Sequence, residues 1–426
     1  MDFLLFEDRQ LANTLDSTAV ELLHRLDIIN KDNVERVHYC GVLVTNAKTL
    51  LFLPRNSFSS IDSSCFSPPA LARKLVLALH KYRSSRFIGS SGDLNEMLGL
   101  DILSDIIWLL NDYINNGIYN TKSKKKNFNQ GNVNWNKTIR KEFPFMGVEG
   151  IPVYLKLHSE KTKFNEQNNV SLIHAEVIKT LDVMFSWVIT GDESIRVSSD
   201  IDYIPHLYET LEYKCMVLKK ELASTYSDRE TRLLNCLISY LSNSSEGLRG
   251  EYIIGVKSFQ GVWEEMLRVT LPNVKPINHL LPKPALYLRG SNNFTQTRGM
   301  LTDIVSFVGS SVSIIDAKYY RAEGFNDSPG WSDIVKQLYY AKAIQSLDSE
   351  LKISNWFAFP GKYENINDGP IKAIGMIDPK SQLVLNDDFP SIGCAYFCPI
   401  DILNKYTDNL TFSILEIEFL HQPPNI

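Results

Sequence analysis

The chain is poor in cysteine: Cys40, Cys65, Cys215, Cys236, Cys394 and Cys398 are the only six in 426 residues. That is too sparse for a disulfide framework, so all six read as reduced thiols in a cytoplasmic protein. Cys394 and Cys398 form the one close pair, with no second pair or nearby histidine to complete a zinc site. No apolar run reaches the roughly 18 residues of a membrane span, which excludes a membrane partner. The opening stretch MDFLLFEDRQLANTLD carries acids where a signal peptide carries bases. Positive charge is not in excess either: 44 Lys and Arg stand against 49 Asp and Glu, a net −5. Any nucleic-acid contact must therefore come from local patches rather than from a global field. Several enzyme signatures are missing as well: G-x-S-x-G, H-E-x-x-H and the phosphate loop G-x-x-x-x-G-K-[ST]. There is no internal repeat.

What remains is an ordinary globular composition, 44% apolar, 22% charged and 11% aromatic. The length suggests two or three domains. VERVHYCGVLVTNAKTLLFLPRN (34–56) reads as a β-hairpin around the polar turn TNAK, and 57–69 as a Ser/Pro-rich loop. ALARKLVLALHKYRSS (70–85) has helical spacing. Residues 94–119 read as one or two helices ending at Asn-Asn-Gly. The lysine- and asparagine-rich segment 120–144 follows. A helix and then a basic hairpin suggests a winged-helix-like arrangement, with Lys122, Lys124, Lys125 and Lys126 on a wing touching phosphates. A solvated loop is the commoner fate of such a charge run. Long helices then occupy 171–189 and 204–242. His174 reads as a core histidine, and Trp135 as a packing anchor rather than a base-stacking platform. SNSSEGLRGEY (242–252) is a Ser/Gly linker, beyond which helices and strands alternate. The expected fold is α+β and multidomain. A β-hairpin and winged-helix-like region spans 1–150, a helical region 151–247 and an α/β domain 248–426.

The last of these carries the chemistry. GMLTDIVSFVGSSVSIIDAKYY (299–320) holds two apolar strands joined by VGSSV, a hairpin. Residues two apart on a strand share a face, so Asp316 and Lys318 project together and Ala317 away. Folding the hairpin brings Asp303 near Asp316. Two convergent carboxylates need a cation or a shared proton. A hard ion such as Mg²⁺ prefers oxygen ligands. It polarises a phosphodiester and lowers the pKa of a bound water. The lysine ammonium orients that water or stabilises the charge on the phosphorane. FQGVWEEMLRVTLPN (259–273) reads as a helix able to add a third acid, Glu264 with Glu265 as the near alternative. GWSDIVKQLYYAKAIQ (330–345) is another helix. Ser332 is its expected N-cap, and Ile334, Leu338 and Ala341 its packed face. Asp333 and Gln337 lie four apart on one side, with Gln337 free to bond a phosphate or a ligand of the site. An Asp-x-Lys alone is commonly a surface ion pair. The order of helix acid, strand Asp, turn, strand Asp-x-Lys and helix Gln is far more specific.

That order resembles the PD-(D/E)xK nucleases, with Thr302 where the family usually has proline. IIDAKYY followed by DIVKQLYYA resembles one branch in particular, the McrC-like subunits of GTP-dependent restriction systems. GVLVTNAKTLLFLP, LLNDYINNGIY and GNVNWNKTI resemble the LlaJI-type members of that branch. The resemblance implies a C-terminal restriction-endonuclease-like fold and a Mg²⁺-dependent DNA endonuclease, for which Mn²⁺ can substitute. Asp303 and Asp316 would be metal ligands, with Ala317 and Glu264 completing the metal set. Lys318 would be the catalytic lysine and Gln337 the helix-borne polar partner. It also implies double-stranded DNA as substrate and a separate AAA+ GTPase, McrB-like, as partner, in keeping with the missing phosphate loop. Pairing of two nuclease domains is left open, and the lysine-rich stretch gains a competing role in docking that partner. The alternatives are a catalytically silent adaptor of the same kind of complex and a stand-alone repair-type nuclease.

Overall fold

The computed structural model describes residues 2–424 except 16, 27, 31–34, 46–47, 59–65, 87–96, 130–131, 148–149, 166–167, 246–250, 288, 290–293 and 297–298. The chain is a mixed α/β protein with several sheets. It forms two compact units. One comprises Met1–Leu103, Gly191–Glu193 and Gly250–Ile426, the other Ser104–Thr190 and Ser194–Arg249.

The first unit contains two five-stranded sheets. In the N-terminal one the expected hairpin forms, with Cys40–Val44 antiparallel to Lys48–Leu53, and Asp2–Glu7 runs parallel to the latter. Tyr252–Val256 pairs with Cys40–Val44 on its other side and with Met97–Leu98 beyond. The strands CGVLV and KTLLFL are buried almost throughout, which is why they are continuously apolar rather than alternating. Helix Pro68–Arg86 packs on them, and its Leu71, Leu75 and Leu79 are buried along one helical face. Gly41 and Gly255 lie opposite each other in the register. A Cβ on Gly255 would stand 2.5 Å from the Tyr39 ring, so the ring requires glycine there.

The second sheet runs Ile304–Val308, Ser311–Ala317, Lys352–Pro360, Ile392–Phe397, Ala373–Ile374. Its outer pairs are antiparallel and its inner pairs parallel. The expected hairpin is present. Its two-residue turn places Gly309 at φ +60°, the left-handed conformation that such a turn requires at its first position. Helix Trp331–Gln345 is the crossover joining the parallel strands Ser311–Ala317 and Lys352–Pro360. Gly330, not Ser332, is its N-cap, and no side chain caps it. Its buried face is Gln337, Tyr340, Ala343 and Ile344. The expected Ile334, Leu338 and Ala341 are half-buried and do pack on the core, Ile334 and Leu338 against the cluster of Phe357, Phe359 and Tyr396 and Ala341 against that of Val305 and Ile314.

The second unit contains a three-stranded antiparallel sheet, in the order Thr121–Phe128, His158–Asn165, Asn132–Val133. The lysine-rich stretch is therefore a paired strand rather than a loop. Lys122 pairs with Phe164, and Lys126 with Glu160. The side chains of Lys122, Lys124, Lys125 and Lys126 lie outside the described residues. Trp135 opens the helix Trp135–Lys141 and is 55% exposed, so it is not the packing anchor expected. Residues 100–116 form one helix, stopped by Gly117 at φ +70°. The helices Asn169–Thr190, Leu211–Leu222 and Asp228–Ser245 supply the expected helical mass. His174 is a core residue as expected. Its Nδ1 accepts the Tyr119 N–H at 3.1 Å, and burial pushes its pKa down to about 4. Asp182 is wholly buried and fully served. It accepts from the Val197 N–H (2.9 Å), the Ser198 N–H (3.1 Å), the Ser198 hydroxyl (2.7 Å) and Arg196 Nε (3.3 Å).

The two units divide the chain differently from the expected 1–150, 151–247 and 248–426. The linker is partly helix, since Asp228–Ser245 extends into it. The strand that starts at its last residue, Tyr252–Val256, belongs to the N-terminal sheet. Among the described residues no helix is long and apolar enough to cross a membrane, and Cys40, Cys215, Cys236, Cys394 and Cys398 are free thiols.

Candidate active site

The hairpin register decides the site. Ile304 pairs with Ile315, so the next step along the ladder sets Asp303 opposite Asp316. Val305, Val312 and Ile314 pack with Tyr340, Ala343 and Ile344 of helix Trp331–Gln345. By strand alternation both aspartates point to that same helix-covered face. The helix delivers Asp333, Lys336 and Tyr340 toward them, at the three- and four-residue spacing of one helical side.

Asp303 Oδ2 accepts the Ala317 N–H at 3.0 Å. This bond ties the carboxylate to the strand that carries its partner. The Asp316 side chain is 3% exposed and faces two ammonium groups. Lys318 Nζ lies 2.8 Å from Oδ2, and Lys336 Nζ lies 3.2 Å from Oδ1. Lys318 is held from a second side by Asp333, at 2.7 Å. Its backbone N–H donates to the Ala358 carbonyl at 2.9 Å, which extends the sheet to the lysine itself. The Phe259 and Trp263 rings pack on Tyr319, at 5.4 and 6.3 Å, and brace the chain just past Lys318.

The electrostatics follow. Burial raises the pKa of Asp303, and the neighbouring charges of Asp316 and Glu264 raise it further, to about 7, against the opposing pull of Lys336 and the Ala317 N–H. Burial works to strip the proton from Lys318, but Asp316 and Asp333 outweigh it and hold the pKa above the usual lysine value. Lys318 is thus a fixed ammonium, suited to stabilising negative charge rather than to accepting a proton. Burial also opposes the charge on Lys336, and Asp316, Asp303 and Tyr340 overcome it.

The two helical acids separate cleanly. Glu264 is half-buried and its charge reaches Asp303. Glu265 is turned inward and accepts from Arg268 Nε at 3.1 Å. Gln337 is wholly buried. Its Nε2 faces the Trp356 carbonyl at 3.4 Å and its Oε1 has no hydrogen-bond partner among the described residues, so as it stands it addresses the sheet. Tyr340 donates its hydroxyl to the Leu301 carbonyl.

Among the described residues no three His, Cys, Asp or Glu side chains are gathered closely enough to hold a metal ion. The aspartate pair still fits a hard cation by its all-oxygen donors. A cation already stands against it, the Lys336 ammonium. Sequence reasoning missed Lys336. Its signal was present, because Lys336 follows Asp333 by three and precedes Tyr340 by four, on the side already assigned to the site.

A family model described as LlaJI restriction endonuclease matches residues 39–372. Among curated proteins, the Type II restriction enzyme BsuMI component YdjA of Bacillus subtilis (strain 168) is 25% identical over 397 residues, 88% of this chain and 82% of that one. Among solved structures, a half-complex from a tetradecameric assembly of Thermococcus gammatolerans McrB AAA+ hexamers with bound McrC aligns at 11% identity and TM-score 0.41, covering 96% of this chain and 99% of that chain. The cryo-EM structure of the Thermococcus gammatolerans McrBC complex aligns at 12% identity and TM-score 0.29, covering 62% and 88%. Neither superposition is close enough to transfer a residue's role.

Proposed function

The chain belongs to the LlaJI restriction endonuclease family, and from that premise we propose that it is the DNA-cleaving subunit of a restriction system. The reaction is hydrolysis of a phosphodiester in double-stranded DNA, by a PD-(D/E)xK site that uses Mg²⁺. One observation carries this reading: the hairpin end gathers Asp303, Asp316 and Lys318, with Lys318 clamped between Asp316 and Asp333.

Asp303 and Asp316 would hold the ion, with Ala317 and Glu264 beside them. A bound Mg²⁺ would supply Lewis-acid polarisation of the scissile phosphodiester. The chain's own residues do the rest. The Ala317 N–H fixes the angle of the Asp303 carboxylate. Asp333 fixes the Lys318 ammonium, so its charge stays at the place where negative charge builds on the phosphorane. Gln337 and Tyr340 anchor the helix to the sheet and so position Asp333.

Cleavage is proposed to depend on a separate AAA+ GTPase. The Asp-Ala-Lys-Tyr segment supports this by its resemblance to McrC-like subunits, and the missing phosphate loop leaves nucleotide hydrolysis to another chain. The strand bearing Lys122, Lys124, Lys125 and Lys126 is assigned to contact with DNA or with that partner. The intact acid–acid–lysine set disfavours a silent adaptor.

The test is cleavage of a DNA library of varied and methylated sequence, with Mg²⁺, with and without a separate AAA+ GTPase partner and GTP. Cleavage by the wild type that disappears in Asp316→Ala supports the nuclease. Dependence on partner and GTP supports the assembly, and cutting without either favours a stand-alone enzyme. Equal cleavage by wild type and Asp316→Ala would sink the site.

A further inference from the structure

Asp316 meets two lysines, and they are not equivalent. Lys318 is pinned by two acids, at 2.8 and 2.7 Å. Its side chain is only 13% exposed. Lys336 is 38% exposed, and among the described residues Asp316 is its only ion-pair partner within 4.0 Å. Its ammonium lies 5.4 Å from the centre of the Tyr340 ring. The charges of both Asp303 and Asp316 act on it. It thus feels the same two carboxylates that would hold a divalent ion. Its four-carbon stem lets the ammonium move to solvent while the rest of the chain stays packed.

We propose that Lys336 is a resident counter-ion in the divalent-metal position, displaced when metal binds, and that it thereby sets the metal affinity of the site. The inference rests on the reading of Asp303 and Asp316 as metal ligands. A buried and a half-buried carboxylate facing each other repel, and the ammonium offsets that repulsion in the metal-free protein. A divalent ion gains the pair only after breaking the Lys336–Asp316 contact, so it binds more weakly than the bare pair would allow. Lys318, which faces the other oxygen of Asp316 and is held by Asp333, stays where it is.

The test is calorimetric titration of Mn²⁺ into the full-length chain at pH 8.5, where the carboxyl groups are ionised and protons do not compete. The chains are the wild type, Lys336→Met, Lys336→Gln, Lys336→Arg and Asp316→Asn. Lys336→Met keeps the length of the stem without its charge, and Lys336→Gln guards against a packing defect peculiar to methionine. Both are expected to bind Mn²⁺ about tenfold tighter than the wild type, the order of one ion pair near a protein surface. Lys336→Arg is expected to bind no tighter than the wild type, and Asp316→Asn to lose binding. Wild-type affinity or weaker in both neutral variants, with Asp316→Asn still defective, would overturn the proposal and leave the metal site standing. No Mn²⁺ binding by any chain, or wild-type binding by Asp316→Asn, would overturn the proposal and the metal-site reading together.

Discussion

Two buried aspartates in this molecule have opposite surroundings. Asp182 receives two backbone N–H groups, a hydroxyl and a guanidinium. Among the described residues Asp316 meets ammonium groups alone, and its Oδ2 has no partner in good hydrogen-bond geometry although Lys318 stands 2.8 Å away. Asp303, across the ladder, has one N–H for its two oxygens. A carboxylate that shapes a fold is satisfied by donors that cannot leave. The pair at the hairpin end meets two lysine ammonium groups instead, Lys318 clamped by Asp333 and Lys336 on a half-exposed stem that can swing to solvent. Burying a charge with few backbone donors costs stability, and such groups cluster at functional sites.

The contrast can be broken by mutation. Lys318→Met removes the clamped ammonium and should lower single-turnover DNA cleavage about 10²–10³-fold, with the fold intact by circular dichroism. Cleavage within a few-fold of wild type would mean that the lysine is structural. Asp182→Ala should do the reverse. It leaves several buried donors unpaired and should cost about 2–4 kcal/mol in urea unfolding, while cleavage per folded molecule is unchanged.

The pH dependence sharpens the difference. Asp303 in the folded protein has its pKa raised from 3.8 to about 7. The native state therefore binds this proton more tightly than the unfolded chain. Its contribution to stability is fully present below about pH 4 and is lost as pH rises toward 7, on the order of 2 kcal/mol after allowing for partial exposure. Saturating Mg²⁺ should flatten that slope, because an ion on the pair keeps the carboxyl ionised. Melting curves from pH 5 to 8, with and without Mg²⁺, read this directly. Identical slopes in the two series would remove Asp303 from the metal set.

The smallest expected effect separates two neighbours in the sequence. Glu264→Gln should reduce cleavage about tenfold, whereas Glu265→Gln, whose carboxylate serves Arg268, should change it less than about twofold. The opposite ranking would reassign the helical acid.

Much of the site was legible in the sequence because its logic is local. A two-residue strand period, a Gly-Ser turn and an Asp-x-Lys ending place Asp303, Asp316 and Lys318 together with no knowledge of the rest of the chain. What was not legible depended on distant pairing. Tyr252–Val256 joins Cys40–Val44 across some two hundred residues of sequence, and no local signal announces it. The strand Thr121–Phe128 is held by backbone bonds to His158–Asn165, another polar segment. Neither segment shows the apolar alternation by which half-buried strands are recognised. Lys336 was passed over because a lysine on an amphipathic helix normally marks the solvent side. Here the helix lies at the edge of the site, and its half-exposed flank meets Asp316.

The most direct test compares Asp316→Asn with Asp182→Asn at matched concentrations of folded protein, measuring Mg²⁺-dependent cleavage of a mixed-sequence DNA library and urea stability on the same samples. Asp316→Asn is expected to be folded and at least about a thousandfold less active, and Asp182→Asn to be less stable yet to cut normally. An active Asp316→Asn, or an inactive but fully stable Asp182→Asn, would contradict this reading of the two aspartates.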